Sequence, residues 1–158
     1  MARMGTAAGV LLTMLTDAFP GLNDGTWHVT SQRTPRYNCI AWAADDDQRW
    51  WWPDPLGLGY WPDDVPRDES IDAFVSMFES LGFQTSLSAE PEQDFEKIAL
   101  YARDNCPTHA ARQLENGSWT SKLGPLEDIT HSLSGLAGET YGEVVSILKR
   151  STPRVTDH

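Results

Sequence analysis

The chain is poor in basic residues, in cysteine and in long hydrophobic runs, and each shortage excludes a class of protein. Only 12 Lys and Arg stand against 23 Asp and Glu, and the formal charge of -11 would repel a phosphate backbone, so no nucleic-acid partner is expected. The longest apolar stretch near the start, residues 7–15, is broken by Thr13 and is too short to cross a bilayer. No membrane association is therefore expected.

The cysteine and histidine content is equally low. Cys39 and Cys106 can form at most one bridge, which excludes a disulfide scaffold and favours a reducing, cytoplasmic location. No small-x-small cleavage site follows residues 7–15, so a secretory signal is not indicated. Cys39, Cys106, His109 and His131 lack the paired short spacings of a structural zinc site. We therefore expect no metal site and no cofactor.

Tryptophan is the residue that the chain has in excess. Five of its 7 Trp fall between Trp42 and Trp61, and the prolines and glycines of residues 49–66 exclude a regular helix or a central strand there. We predict a long, ordered aromatic loop. The consecutive Trp50, Trp51 and Trp52 cannot all point inward, so at least one borders a cleft or another chain. The candidate substrate-binding residues are Trp50, Trp51, Trp52, Trp61 and Trp119.

Hydrophobic periodicity predicts an α+β layout of one domain over residues 27–150, with a partly irregular lead over 1–26 and a polar tail over 151–158. Asn38 is the expected N-cap of a helix whose first residue is Cys39. The other predicted helices cover residues 70–81, 126–133 and 141–149, and the predicted strands cover 26–30, 83–87 and 95–102.

A β-hairpin is predicted around the Asn116-Gly117 turn, because this dipeptide between alternating segments is a strong hairpin signal. A three-residue loop would place His109, Gln113, Trp119 and Ser121 on one face of the sheet. A two-residue turn would instead place Thr120 and Lys122 beside His109 and Gln113. We favour the three-residue loop, since it alone makes Ser121 available to the imidazole.

These positions suggest nucleophilic catalysis by a thiol. A helix N-terminus is expected to lower the pKa of the Cys39 thiol, and His109 at the start of a strand is the candidate general base. Ser121 or Gln113 would orient the imidazole. The backbone N–H of Cys39 and the side chain of Gln32 are the candidate oxyanion donors.

Two segments carry a resemblance to known enzymes. Residues 37–43 resemble the start of the nucleophile helix in NlpC-type and CHAP-type papain-like hydrolases, and residues 108–117 resemble their histidine strand. Together with residues 49–53 and 119–124 they are similar to an uncharacterised bacterial domain family, over most of residues 27–150. The papain-like hydrolases have His or Asn where this chain has Ser121.

The resemblance implies a papain-like α+β fold, with the Cys39 helix packed on a small antiparallel sheet. It also implies cysteine-dependent hydrolysis or acyl transfer on an amide of a peptide, a protein or the cell wall. Peptidase, amidase, deamidase and transglutaminase-like chemistry stay open, as does the oligomeric state. The alternative is a non-catalytic module of the same fold that binds a protein or a glycan through its tryptophans.

Overall fold

The fold is a single open antiparallel sheet in the residues that the computed structural model describes, 13–24 and 27–152. The predicted lead lies largely outside them, at residues 1–12 and 25–26, as does most of the predicted tail, at 153–158. The strands are β1 (His28–Val29), β2 (Gln84–Ser86), β3 (Phe95–Arg103), β4 (Cys106–Gln113), β5 (Trp119–Lys122), β6 (Asp128–His131) and β7 (Glu143–Ser151). Their order across the sheet is β1-β6-β5-β4-β3-β7-β2.

Two short α-helices pack beside this sheet, and both begin where the sequence predicts. Helix α1 covers Cys39–Ala43 and helix α2 covers Ile71–Ser80. The side chain of Asn38 caps α1 and that of Ser70 caps α2, each by accepting a backbone N–H. Two 3-10 segments, Pro20–Asp24 and Leu133–Leu136, complete the described helical elements that have defined bounds.

The predicted papain-like α+β fold is wrong, because the described chain is mostly antiparallel sheet with few and short helices. The two helices predicted over residues 126–133 and 141–149 contribute strands β6 and β7 instead. Strand β7 pairs with β3 from Phe95↔Ser151 to Ala102↔Glu143, and its Val and Ile side chains suit a pleated surface. Long-range pairing therefore outweighs the local helical spacing of these apolar residues.

The sheet has a hydrophobic cluster on each of its two faces. Helices α1 and α2 and the aromatic loop cover one face, where Leu100 and Ala110 are buried against them. The other face buries Tyr101, Ile129 and Leu136. Side chains alternate along a strand, so neighbouring residues of β4 point to opposite faces. The sheet therefore separates the two clusters.

The hairpin between β4 and β5 has the predicted three-residue loop. Leu114 N donates to Ser118 O at 2.7 Å, and Gln113 pairs with Trp119. Gly117 has a φ of +91°, which glycine adopts without a steric penalty. The three-residue register is confirmed, and with it the predicted common face of His109 and Ser121.

Candidate functional site

The candidate site is a cavity of about 340 Å³ at the end of the β4–β5 pair. The two strands pair only at Arg112↔Thr120 and Gln113↔Trp119, so they are unpaired towards this end. The cavity walls carry no charged side chain and include two indole rings. Its lining residues are Asn38, Cys39, Trp50, Trp52, Thr108, Gly124 and Tyr141.

Cys39 lies at the first position of α1 with 6% of its surface exposed. Burial raises the pKa of its thiol to about 11, and backbone hydrogen bonds from Ala110 and Ile40 offset only part of this. The expected lowering of this pKa is therefore wrong. A helix of five residues carries a weak dipole, and the loss of water around the sulfur outweighs it.

Asn38 joins α1 to the aromatic loop. Its Oδ1 accepts hydrogen bonds from Ala41 N at 3.2 Å and from Trp51 N at 3.1 Å, while its Nδ2 donates to Trp51 O at 2.8 Å. The residue that caps the helix thus also fixes the middle of the three consecutive tryptophans. Trp50 and Trp52, on either side of Trp51, are left to line the cavity.

A buried chain of hydrogen bonds holds the imidazole of His109. His109 Nε2 lies 2.8 Å from Ser121 Oγ, which lies 2.7 Å from His131 Nε2. His131 Nδ1 lies 2.6 Å from the carbonyl oxygen of Ser132. Burial lowers the pKa of His109 well below its usual range, and the nearby His131 adds to this effect. Burial also lowers the pKa of His131 to about 4.

The end of this chain fixes the tautomer of each ring. A carbonyl only accepts, so His131 Nδ1 carries the proton, and the neutral ring accepts at Nε2. Ser121 then donates to His131 and accepts from His109, which places the His109 proton on Nε2. His109 Nδ1 is left with a free lone pair, and this buried atom has no hydrogen-bond partner. The network therefore leaves Nδ1 of His109 as a hydrogen-bond acceptor without a donor.

Tyr141 connects the imidazole to the cavity. Its ring stacks on His109 with 4.0 Å between centroids, and the same residue lines the cavity with Cys39. Thr108, the neighbour of His109, also lines it. His109 itself is fully buried and makes no hydrogen bond with Cys39. The structure therefore brings the two predicted residues to one end of the sheet without joining them directly.

Several of the other predicted site residues lie elsewhere. Gln113 donates to Ala89 O at 2.7 Å and does not orient His109, because the backbone of residue 89 holds its amide. Gln32 is exposed and does not line the cavity, so it is not placed as an oxyanion donor. Trp51, Trp61 and Trp119 are core residues rather than substrate contacts, since each is at most 5% exposed. Trp50 and Trp52 line the cavity, in agreement with the prediction that at least one of the three consecutive tryptophans borders a cleft or another chain.

Sequence reasoning missed three residues around the site. His131 completes the chain behind Ser121, Tyr141 stacks on His109, and Lys122 is buried beside α1. Lys122 and Ser121 are adjacent in the same short strand, so the register that placed Ser121 also placed Lys122 on the opposite face. His131 and Tyr141 carried no usable signal, because their segments were predicted to be helical.

Among the described residues, no group of three or more His, Cys, Asp and Glu is placed to hold a metal ion. No helix of this part of the chain is long and apolar enough to cross a membrane.

The model of one protein family matches residues 28–149. The chain belongs to this family, the domain of unknown function DUF7689. The match to DUF7689 includes both Cys39 and the whole hydrogen-bonded chain from His109 to Ser132. No curated protein and no solved structure matches the sequence.

Proposed function

We propose that this DUF7689 domain is a cysteine-dependent hydrolase or acyl-transfer enzyme that acts on an amide, with Cys39 as nucleophile and His109 as general base. The observation that carries the proposal is the polarity of the His109–Ser121–His131 chain, which leaves Nδ1 of His109 as a free acceptor. A second support is the position of Cys39 in a cavity whose wall, Tyr141, stacks on that imidazole.

The reaction would begin from a neutral thiol and a neutral imidazole, given the directions of the two pKa shifts. Cys39 Sγ attacks the carbonyl carbon of the amide as its proton moves through water to His109 Nδ1, because the two side chains are not in direct contact. The C–N bond then breaks, and His109 returns the proton to the leaving amine. A thioester on Cys39 remains, and water or a second amine attacks it to release the acyl group.

The hydrogen-bonded chain would stabilise the imidazolium formed in the first step. Protonated His109 still donates through Nε2 to Ser121, and Ser121 still donates to His131, so the ring keeps its position while its charge changes. Ser121 fills the place of the orienting residue. The developing oxyanion would accept hydrogen bonds from the backbone N–H of Cys39 and from the side-chain amide of Asn38. Asn38 lines the cavity, and its Nδ2 donates one of its two hydrogens to Trp51 O.

The test is turnover of an activated acyl donor, p-nitrophenyl acetate, by the Cys106→Ser protein, in which Cys39 is the remaining cysteine. We expect an initial burst of nitrophenolate, from acylation of Cys39, followed by slower steady release. Cys39→Ser and His109→Asn should each lower the steady rate at least about 100-fold, a typical loss on removal of a nucleophile or a general base.

The Cys106→Ser background removes the exposed thiol, which would otherwise react with the ester without catalysis. Intact-protein mass spectrometry should find one acetyl group on the protein during turnover and none on Cys39→Ser. Release of nitrophenolate at the same rate in the folded His109→Asn protein would contradict the role of the imidazole.

The second candidate function is ligand binding without catalysis, and one observation favours it. Trp50 and Trp52 line the Cys39 cavity and also a neighbouring hollow of about 370 Å³, which includes Pro35, Asp54 and Leu58. Two hollows that share a pair of indoles suit a ligand that stacks on them. Titration of tryptophan fluorescence with a chitin hexasaccharide, with Trp50→Ala as control, would reveal such binding. Saturable binding together with no turnover of the ester would favour this function.

A further inference from the structure

The ammonium group of Lys122 is the most unusual charge in the described chain. Its side chain is fully buried on β5, and Nζ donates to Thr34 O at 2.7 Å and to Gly124 O at 2.5 Å. Nζ also lies 5.0 Å from the centre of the Tyr37 ring. None of the ion pairs among the described residues involves Lys122. Burial of a cation with no carboxylate in contact costs free energy of folding, so the position of Lys122 needs a physical explanation.

Lys122 faces the helix that begins with Cys39. Thr120 and Lys122 share one face of β5, and Trp42 of α1 donates to Thr120 Oγ1 at 3.1 Å. The Lys122 ammonium is bracketed by Tyr37, two residues before Cys39, and by Gly124, which lines the cavity with Cys39. The positive charge therefore lies directly behind the cavity wall, on the sulfur side of the sheet.

We propose that Lys122 is a positioning residue that stabilises negative charge at Cys39, on the thiolate and on the oxyanion that the thiolate forms. This inference rests on the proposed function of Cys39 as a nucleophile. The hydrogen bond from Nζ to Gly124 O fixes the ammonium against the cavity wall, so the charge is in place before a substrate arrives.

The surrounding charges are in line with this role. Burial raises the pKa of the Cys39 thiol, and the charge of Lys122 opposes this effect. Burial lowers the pKa of Lys122, and the negative charges of Asp128 and of the thiolate oppose that effect. Asp128, the cross-strand partner of Lys122, accepts from Tyr37 Oη at 2.9 Å, and Glu127 pairs with Arg33. Each carboxylate is thus hydrogen-bonded to another side chain, and neither forms an ion pair with the ammonium.

The test is the rate of alkylation of Cys39 by iodoacetamide as a function of pH, in the Cys106→Ser background. Lys122→Met removes the charge and keeps the length of the side chain, whereas Lys122→Arg keeps the charge. We expect alkylation about tenfold slower at pH 8 in Lys122→Met, with its pH midpoint moved upward by about one unit, and a midpoint near that of the parent protein in Lys122→Arg.

Lys122→Gln provides a second neutral variant, whose amide N–H groups keep a donor for the buried carbonyl oxygens of Thr34 and Gly124. It also removes the positive charge, so the midpoint should move upward as in Lys122→Met. The other titratable groups around the sulfur and the ammonium, His109, Tyr37, Tyr141, Glu127 and Asp128, are unchanged in all three variants. Circular dichroism shows whether each variant folds, and if Lys122→Met does not, the Lys122→Gln shift decides.

An unchanged midpoint in folded Lys122→Met or in folded Lys122→Gln would overturn the inference. The measurement uses no acyl donor, so it separates the two proposals. If the protein shows the expected shifts but does not turn over the ester, the role of Lys122 at the thiolate is supported and the proposed enzymatic function is contradicted.

Discussion

The most consequential single residues are the buried histidines of the sheet. His109 and His131 have at most 1% of their surface exposed, and both are neutral because burial disfavours the imidazolium. Ser121 satisfies one nitrogen of each ring, and Ser132 O satisfies a second nitrogen of His131. One acceptor, Nδ1 of His109, remains. In a well-packed interior such an atom calls for a functional explanation.

The neutral histidines predict a loss of stability in mild acid. The pKa of His131 is about 4 in the folded protein and near 6.5 when unfolded, so between these values the unfolded chain binds more protons. The free energy of unfolding should therefore fall as the pH falls from about 6.5 to 4, by up to about 3 kcal/mol from His131 alone. Urea unfolding at a series of pH values measures this slope.

His131→Asn should have a shallower slope over the same range, because it lacks the imidazole that the fold holds neutral. Equal slopes in the parent and in His131→Asn would show that His131 is not held neutral by the fold.

Ser121→Ala is expected to destabilise the protein and to slow turnover. The substitution leaves His109 Nε2 and His131 Nε2 buried without a partner, at a cost of about 1–3 kcal/mol. It also frees the imidazole to rotate away from the cavity. Urea unfolding and the ester assay measure the two effects, with Ser134→Ala, an exposed serine, as the matched control. Parent-like stability of Ser121→Ala would contradict the hydrogen-bonded chain.

At the scale of elements, Asn38 couples helix α1 to the aromatic loop through three hydrogen bonds. Asn38→Ala removes a helix cap and leaves the buried N–H and C=O of Trp51 unpaired. We expect a loss of about 2–4 kcal/mol in the free energy of unfolding. Ser70→Ala, which removes only the cap of α2, should cost about 1 kcal/mol. Similar losses in both variants would show that the link to Trp51 contributes little.

The elements also show how far sequence reasoning reaches. The cap of α1, helix α2 and the hairpin register were predictable, because each depends on residues within a few positions of one another. Strands β6 and β7 were not, since their apolar spacing fits a helix and their pairing with β5 and β3 depends on distant segments. This error favoured the papain-like α+β fold, which is wrong, and it hid His131 and Tyr141 from the predicted site.

At the scale of the whole molecule, the sheet separates Cys39 from His109, which lie on its opposite faces. Cys39 belongs to the cluster on the α1 face, and His109 shares the other face with Tyr101 and Ser121. The cavity lies where β4 and β5 are no longer paired, and Tyr141 is in contact with the imidazole there. The sequence predicted that these two residues belong together. It could not predict that Tyr141, which packs on the His109 face of the sheet, also lines the Cys39 cavity.

The aromatic loop has two buried tryptophans, Trp51 and Trp61, and two half-buried ones that line the cavity, Trp50 and Trp52, and this division is testable. Trp51 is 5% exposed and donates to Asp46 Oδ2 at 2.8 Å, so Trp51→Ala should cost about 3–5 kcal/mol. Trp50→Ala should lower the free energy of unfolding much less, because Trp50 is only half-buried at the cavity. Thermal unfolding of the two variants measures the difference, and equal losses would contradict the assignment of Trp50 to the cavity wall.

The proposed chemistry depends on a free lone pair at His109 Nδ1, and the ¹⁵N chemical shifts of the imidazole nitrogens at pH 7 test it most directly. His109 should have a protonated Nε2 and a bare Nδ1, while His131 should have the opposite tautomer, with His109→Asn and His131→Asn spectra as assignments. A proton on Nδ1 of His109, or an imidazolium at either residue, would contradict the proposed base.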